Sequence, residues 1–351
     1  MVGNTFQVAI VGLGGMGNWH RELIADVENM EICGSFDIKE ERQQFAREHG
    51  ITPYNSFEEV LQDEKVDIVL CATPNDAHKD IVIRALKAGK HAICEKPATM
   101  YSKDFEEMMA VAKECGKLLV VHQNRRWDED FRTAKKIYDE NMLGSMFRIE
   151  SRVHGSRGIP GDWRQEPEHG GGMLLDWGVH ILDQALQMIP YKVSKVYSSF
   201  THVTNELVDD GFTCELTFDN GLIYMLEVGT SNFINLPRWY LLGQNGTAVI
   251  EDWDLSGKIT RITDWSKNDA VPIRTAAGLT KTMAPRTEET IHTDPLPIVR
   301  ADVHDYYRNV MDAISGKAEI IVKNDEVLRV LRLMEAIKKS AEDHIVVDFE
   351  A

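Results

Sequence analysis

The sequence predicts two domains: an N-terminal α/β domain on a doubly wound parallel sheet, then a C-terminal α+β domain with a large, mainly antiparallel sheet. Three observations lead to this prediction. An apolar run enters a glycine-rich turn at residues 8–17, and apolar strand-like segments alternate with helical ones up to about residue 121. Beyond about residue 128 the pattern changes to long alternating runs. In a chain of 351 residues we therefore place the domains at residues 1–126 and 127–351.

The strands predicted in the first domain are too apolar to be half exposed. Such strands are typical of a parallel sheet with helices on both faces. In chain order the predicted strands are 6–11, 30–36, 66–72, 91–94 and 118–122, and the predicted helices begin at Gly17 and span 40–49, 56–63 and 102–115.

The glycine-rich turn fits the pattern G-x-G-x-x-G with Gly12, Gly14 and Gly17. The first glycine permits a tight turn, the second lets the backbone approach a phosphate, and the third lets the helix pack on the strand. The pattern by itself also fits a loop that merely turns the chain. The second predicted strand favours the interpretation as a Rossmann dinucleotide site. The segment predicted to bind the phosphates is Gly12, Leu13, Gly14, Gly15, Met16 and Gly17.

Asp37 ends the second predicted strand and stands twenty residues beyond Gly17. An acid at this place accepts hydrogen bonds from the ribose 2′-hydroxyl and repels a 2′-phosphate, which predicts NAD rather than NADP. Nearby Lys39 and Arg42 could still favour a phosphate. Asp37 could also cap a helix that begins at Ile38.

Polar residues follow three further strands, where an open parallel sheet binds its ligands. We expect these segments to meet at the nicotinamide end of the cofactor. They are Thr73-Pro74-Asn75 with His78, then Glu95-Lys96-Pro97, then Asn124-Arg125-Arg126-Trp127. For Arg125 and Arg126, ion pairing between the domains is as good an interpretation as ligand contact.

The second domain begins with a predicted helix at 130–141. Asn-Gly dipeptides at 220–221 and 245–246 stand between apolar alternations and favour tight hairpins. The run 222–229 is apolar on both faces up to Glu227, so its sheet needs two covers, and residues 264–299 form a long excursion outside the core. The predicted strands are 146–154, 193–203, 211–218 and 222–229, and the last helices are 301–315 and 326–341.

Composition narrows the possible partners. The net charge of −17 argues against a nucleic acid or an anionic membrane. The chain has no apolar run long enough to span a membrane and no signal-like N-terminus, which predicts a cytoplasmic protein. Its five cysteines are expected to be reduced, and no cysteine or histidine set has the spacing of a zinc site, so we predict no metal.

Asp176 and His180 stand four residues apart after Gly170–Gly172, so a helix would place them on one face. A carboxylate there can orient an imidazole. Gly178 between them suggests a close approach by another group, since a helix interior disfavours glycine. Asp183, one turn further, is expected to be a solvated or helix-pairing acid.

These motifs, in this order and spacing, resemble those of the glucose–fructose oxidoreductase and inositol dehydrogenase family, usually written Gfo/Idh/MocA. The resemblance runs nearly end to end. It implies a catalytic triad of Lys96, Asp176 and His180, a cis Lys96-Pro97 bond, and a segment at Trp163-Arg164 that reaches back to the nicotinamide. It also implies that a second subunit covers the open face of the C-terminal sheet, as in a homodimer or homotetramer.

The hypothesis that follows is an NAD-dependent dehydrogenase acting on a secondary alcohol of a sugar, cyclitol or glycoside. His180 would be the base, Lys96 would stabilise the alkoxide and Asp176 would orient His180, although Lys96 could instead transfer the proton. Two alternatives stay open: an NAD-dependent glycosidase or lyase that oxidises its sugar transiently, and an NAD-binding regulator without turnover. The residues predicted to contact the substrate are Lys96, Arg126, Asp176 and His180. The residues predicted to contact the cofactor are the phosphate segment, Asp37, Thr73, Pro74, Asn75, His78, Glu95, Lys96, Asn124, Trp163 and Arg164.

Overall fold

A computed structural model describes residues 5–350. The first domain alternates strands and helices as predicted. Its elements are β1 (Phe6–Val11), α1 (Gly15–Ala25), β2 (Met30–Phe36), α2 (Glu40–Glu48), α3 (Phe57–Gln62), β3 (Ile68–Cys71), α4 (His78–Lys87), β4 (His91–Cys94), α5 (Ser102–Cys115) and β5 (Leu119–Val121). The helix α4 was not predicted, and α1 begins two residues earlier than expected.

These five strands form one parallel sheet in the order β2-β1-β3-β4-β5. Alternate residues of β1 enter different apolar cores: Val8 and Ile10 pack with Leu23 of α1, whereas Ala9 packs with Val60 of α3. Helices therefore cover both faces, as the apolar strands predicted. The strand order reverses between β1 and β3, so the carboxyl ends of these two strands border a crevice suited to a ligand.

The second domain contains α6 to α9 and β6 to β16. These are α6 (Glu129–Asp139), β6 (Met146–His154), α7 (Val179–Met188), β7 (Val193–Thr201), β8 (Gly211–Phe218), β9 (Ile223–Gly229), β10 (Trp239–Gly243), β11 (Gly246–Ile250), β12 (Gly257–Ile262), β13 (Ile273–Thr275), β14 (Gly278–Thr280), β15 (Ile291–Asp294), α8 (His304–Ile314), α9 (Asn324–Asp343) and β16 (Val347–Asp348).

Nine of these strands form one sheet, in the order β15-β12-β11-β10-β6-β9-β8-β7-β16. Both predicted hairpins are present, since β8 pairs with β9 across 219–221 and β10 pairs with β11 across 244–245. All neighbours are antiparallel except β6 and β9, which run parallel. The mainly antiparallel sheet is thus confirmed.

One face of this sheet packs against helices and the other is open in the single chain. In β9 the buried residues are Tyr224, Leu226 and Val228, and their neighbours Ile223 and Met225 are only half-buried on the opposite face. The prediction that β9 is apolar on both faces up to Glu227 is therefore confirmed.

Residues 264–299 are only partly the excursion that was expected. They include a small separate hairpin, β13 with β14, but their end forms β15, which pairs with β12 at the edge of the large sheet. The excursion therefore rejoins the large sheet at Ile291–Asp294. Short polar strands at a sheet edge give a weak sequence signal because few of their side chains enter the core.

The last long helix ties the domains together. In α9, Asn324 donates from Nδ2 to the Leu119 carbonyl of β5 at 3.1 Å, and Glu335 accepts from the backbone N–H of Ser102 at 2.7 Å. Arg332 donates to Glu106 of α5. No helix among residues 5–350 is both long and apolar enough to cross a membrane.

Candidate active site

Two adjoining cavities lie at the carboxyl ends of the parallel strands, and Asp176 borders both. The first cavity measures about 660 Å³ and the second about 620 Å³. Most of the predicted cofactor contacts line the first: Gly12, Gly14, Gly15, Met16, Asp37, Thr73, Pro74, Asn75, Glu95, Lys96, Trp163 and Arg164. Leu13, Gly17, His78 and Asn124 were predicted with them but do not line it.

The glycine turn has the geometry that a phosphate requires. Gly12 has a φ of +90°, and a Cβ on Gly17 would lie 2.1 Å from the Gly12 carbonyl oxygen, so the helix packs directly on the turn. A Cβ on Gly14 would meet no atom within 4 Å, because that position faces the first cavity. The first turn of α1 contains no acidic residue. These residues fit the pyrophosphate of a dinucleotide.

Asp37 fixes the adenosine end of the first cavity. Its carboxylate accepts the backbone N–H of Leu13 at 2.8 Å and that of Lys39 at 2.9 Å. Helix α2 begins at Glu40 with Lys39 at its cap position, so the alternative that Asp37 caps a helix from Ile38 is wrong. Ile38 is 88% exposed, and both Lys39 and Arg42 line the cavity beside the acid.

The segment after β3 is held by buried hydrogen bonds. Asn75 donates from Nδ2 to the Gly170 carbonyl at 2.9 Å, which joins this loop to the second domain. His78 is fully buried, with its ring nitrogens 3.0 Å from the Pro97 carbonyl oxygen and 2.9 Å from that of Thr73. His78 therefore positions the two loops and has no face toward the cavity.

Glu95 sits in a buried polar cluster that sequence spacing did not reveal. Its Oε1 lies 2.8 Å from His20 Nε2 and 2.7 Å from His122 Nδ1, and its Oε2 accepts the Lys96 backbone N–H at 3.0 Å. The Tyr307 hydroxyl lies 2.7 Å from His20 Nδ1. Burial opposes the ionisation of Glu95, but the two imidazoles outweigh it and hold its pKa well below the usual range.

Among residues 5–350, His20, Glu95 and His122 are also the one group whose atoms are close enough to hold a metal ion. The spacing of these three residues in the chain gave no such signal. Both imidazoles face the same carboxylate oxygen at hydrogen-bonding distances, which is the geometry of a polar cluster. We propose no metal for this site.

Lys96 and Asp176 meet where the two cavities join. Lys96 Nζ donates to the Asp176 carbonyl oxygen at 2.8 Å and to Asp176 Oδ1 at 3.1 Å, and the Lys96-Pro97 bond is cis. Arg164 Nε lies 3.3 Å from the same Oδ1. Burial opposes ionisation of Asp176, but the Lys96 and Arg164 charges outweigh it, so its pKa is lowered.

The helix that carries Asp176 begins differently from the prediction. Residues Leu174–Gly178 form a π-helical turn, and the α-helix α7 starts only at Val179. A Cβ on Gly178 would lie 3.1 Å from the ring of Phe212, which is the close approach that a glycine in this helix suggested. Such π turns occur mostly as single turns and frequently at functional sites.

His180 is buried, with 5% of its surface exposed, and it is not among the residues that line either cavity. Its Nδ1 is buried without a hydrogen-bond partner in the described chain, and its ring centre lies 5.9 Å from that of Trp177. Burial, followed by the charges of Lys96 and Arg125, lowers its pKa well below the usual value. The imidazole is therefore neutral at pH 7 and able to accept a proton.

Arg126, which was predicted to contact substrate, lines neither of these two cavities. Its guanidinium is buried and donates to both carboxylate oxygens of Asp183, at 2.8 and 2.6 Å, and to Glu326 at 2.7 Å. The interpretation as an ion pair between the domains is correct. Asp183 is fully buried in this pair, so it is a helix-pairing acid and not a solvated one. Asn124 lines neither cavity.

Sequence reasoning missed two functional candidates in the second cavity, Trp253 and Arg157. Trp253 lies in its wall with its ring centre 6.0 Å from that of Trp177, and Arg157 lies on the loop after β6. Trp253 stands alone in a polar turn and Arg157 in a glycine-rich loop, so neither carries a motif that could have identified it. Their placement together follows only from the folded sheet.

The arrangement combines a dinucleotide cleft with a neutral buried imidazole, a lysine ammonium and an adjoining second cavity. This combination defines a class of protein, an oxidoreductase that binds a nicotinamide dinucleotide. Residues 6–123 match the model of the oxidoreductase family with an NAD-binding Rossmann fold, and residues 131–249 match the Gfo/Idh/MocA C-terminal domain. The chain belongs to the Gfo/Idh/MocA family of oxidoreductases.

Individual relatives agree with this assignment. An uncharacterized oxidoreductase of Schizosaccharomyces pombe is 30% identical over 318 residues, which cover 84% of each chain. The scyllo-inositol 2-dehydrogenase (NADP(+)) of Bacillus subtilis is 26% identical over 97% of this chain and 95% of that enzyme. The solved structure of an NAD-binding protein from Listeria innocua is 49% identical with a TM-score of 0.96, covering 99% of this chain and 100% of its own.

Proposed function

We propose that this protein is a dehydrogenase that moves a hydride between NAD and a secondary alcohol of a sugar, cyclitol or glycoside. The observation that carries the proposal is the contact of Lys96 with Asp176 where the two cavities meet, with buried His180 beside Trp177 of the second cavity. The similarity to an inositol dehydrogenase supports a polyol as the substrate class.

His180, Lys96 and Asp176 have separate roles in the proposed proton transfer. A bound nicotinamide would supply the hydride acceptor. His180 accepts the hydroxyl proton, because its pKa is low enough to keep it neutral at pH 7. Lys96 donates a hydrogen bond to the same oxygen and stabilises its negative charge as the proton leaves. Asp176 holds the Lys96 side chain in place, since its carbonyl and carboxylate oxygens both accept from Nζ.

Substrate identity is tested with a panel of inositols, aldoses, glycosides and uronates, each mixed with protein and NAD while NADH absorbance is followed. We expect NADH to form with at least one polyol. A free sugar released from a glycoside without net NADH would instead indicate transient oxidation and elimination. No NADH and no cleavage across the panel would contradict the proposal and favour a regulatory protein.

We expect NAD to bind more tightly than NADP, because the Asp37 carboxylate would repel a 2′-phosphate. Asp37→Ala should narrow the gap between the two cofactors, and it should also weaken NAD because the Leu13 N–H loses its acceptor. Calorimetric titration of both cofactors measures this. Arg42→Ala is the matched variant and should weaken NADP more than NAD. Tighter binding of NADP by the wild type would refute the assignment.

We propose that the protein is a homo-oligomer, at least a dimer, whose subunits meet on the open face of the large sheet. This face presents half-buried Ile223, Met225 and Tyr240. Light scattering should give a multiple of the 39.8 kDa chain. Met225→Glu should shift the mass toward the monomer, whereas Lys103→Glu on α5 should not. A monomer mass at every concentration would contradict the proposal.

A further inference from the structure

The second cavity is unusually basic for this chain. Besides His154, its charged lining residues are Arg125, Arg157 and Asp176. The carboxylate of Asp176 is already paired with Lys96 and Arg164. Arg125 is paired with Asp128, so Arg157 is the arginine of this wall that has no acidic partner among residues 5–350. It leaves one uncompensated positive charge there, although the chain as a whole has a net charge of −17. A cavity of one sign concentrates ligands of the other sign.

Arg125 is held rigidly in this wall. Its guanidinium carbon lies 4.1 Å from the ring centre of Trp177 and 5.4 Å from that of Trp253. Nη1 donates to Asp128 at 2.8 Å, whereas Nε is buried without a partner among the described residues. The two tryptophans fix the plane of the guanidinium while leaving its hydrogen-bonding potential incompletely used.

Arg157 provides a second guanidinium with no ion pair or hydrogen bond to any residue of 5–350. The backbone around it is nevertheless fixed, since Gly155 donates to the Gly229 carbonyl at 2.8 Å and Gly158 donates to that of Thr230 at 2.9 Å. Arg157 is exposed, and it lines the cavity opposite no acid other than the already paired Asp176. A planar guanidinium fork suits a carboxylate, which it can bind with two parallel hydrogen bonds.

We propose that the substrate is a sugar acid, a polyol ring that carries one carboxylate, and that Arg125 and Arg157 bind this carboxylate in the second cavity. The single charge of Arg157, which has no acidic partner among residues 5–350, matches a monoanion. Trp177 and Trp253 offer apolar ring faces for the C–H side of a sugar. The inference rests on the proposed dehydrogenase function for the identity of the reacting alcohol, but not for the binding of the acid.

The test is calorimetric binding of glucuronate, galacturonate and mannuronate, each beside its neutral aldose, to the full chain with NADH present. We expect at least one acid to bind about 10- to 100-fold more tightly than its aldose, the usual value of a charge-assisted hydrogen bond. The advantage should shrink as salt rises. Arg157→Gln should reduce it about tenfold, and Arg274→Gln on the exposed β13 should not change it.

Equal affinity for every acid and its aldose, absence of acid binding, or tighter binding of the corresponding sugar phosphates would overturn the proposal. So would an Arg157→Gln protein that keeps the full preference for the acid. The substrate panel separates this result from the proposed function. NADH formed from neutral polyols without preferential acid binding overturns only the sugar acid, whereas tight acid binding without NADH from any alcohol overturns only the dehydrogenase.

Discussion

Replacing His180 with alanine is expected to lower kcat by about 10²- to 10⁴-fold, the usual contribution of a general base. In the proposed mechanism the neutral imidazole accepts the hydroxyl proton, so its loss leaves that proton without an acceptor. NAD affinity should change little, because His180 lies outside the wall of the first cavity. Steady-state turnover and NAD binding by fluorescence, measured side by side, separate these effects.

The neighbouring residues provide matched variants. Lys96→Ala should reduce kcat to a similar degree, and Asp176→Asn somewhat less if its task is mainly orientation. Because the Lys96 charge is the second cause, after burial, of the low pKa of His180, Lys96→Ala should also move the acid limb of the pH profile upward. In the wild type this limb should lie below pH of about 6.5, the ordinary value for histidine.

These variants distinguish the two possible bases. If His180→Ala keeps wild-type turnover across the pH range, the base assignment is wrong and Lys96 becomes the candidate. If all three variants turn over as fast as wild type, the triad itself is wrong, and a regulatory role gains support.

Replacing Glu95 with glutamine is expected to lower the free energy of unfolding by about 3 kcal/mol at pH 7, as when one partner of a buried ion pair is removed. One carboxylate oxygen faces two imidazoles and the other accepts the Lys96 backbone N–H. An amide has a single oxygen, so at least one of these buried contacts loses its acceptor. Urea denaturation followed by tryptophan fluorescence measures the change.

The contribution of Glu95 to the free energy of unfolding should depend on pH. The folded pKa of Glu95 lies below its unfolded value of about 4.3, so its ionised form stabilises the fold above that pH. The contribution is lost only as pH falls below that value through the folded pKa. The stability gap should therefore persist at neutral pH and narrow below pH of about 4. Glu106→Gln, an exposed pair with Arg332, is the control and should match wild type. An unchanged urea midpoint for Glu95→Gln would contradict the role of the cluster.

The first domain was predictable because its signals are local. A tight turn that needs a positive φ requires glycine at Gly12, and a turn with no room for a Cβ requires it at Gly17. Short strands that are buried on both faces consist of continuous runs of apolar residues. The boundaries shifted by a few residues, and α4 was missed because it begins directly at His78, within a segment dominated by polar residues.

The second domain gave weaker signals where burial is incomplete. Its hairpins were recognisable from Asn-Gly turns, whereas β15 at the sheet edge was not, because its side chains are largely exposed. The parallel pair of β6 and β9 joins strands about seventy residues apart in the chain. The local sequence of a strand does not indicate which distant strand it will pair with. The π turn at Leu174–Gly178 is set by how the helix packs, and not by the spacing of Asp176 and His180.

By itself the sequence determined the cleft for a dinucleotide and the acid at Asp37, since both depend on short motifs with local steric or chemical requirements, whereas the triad was implied by the family resemblance. Only the tertiary structure decided which charges meet. It buried Arg126 against Asp183 and brought Arg125 close to both Trp177 and Trp253. It also gathered His20 and His122 around Glu95. The physical reason is that a charge is stabilised by whichever partners surround it after folding, and residues from separate segments become neighbours only when the two sheets and their helices pack together.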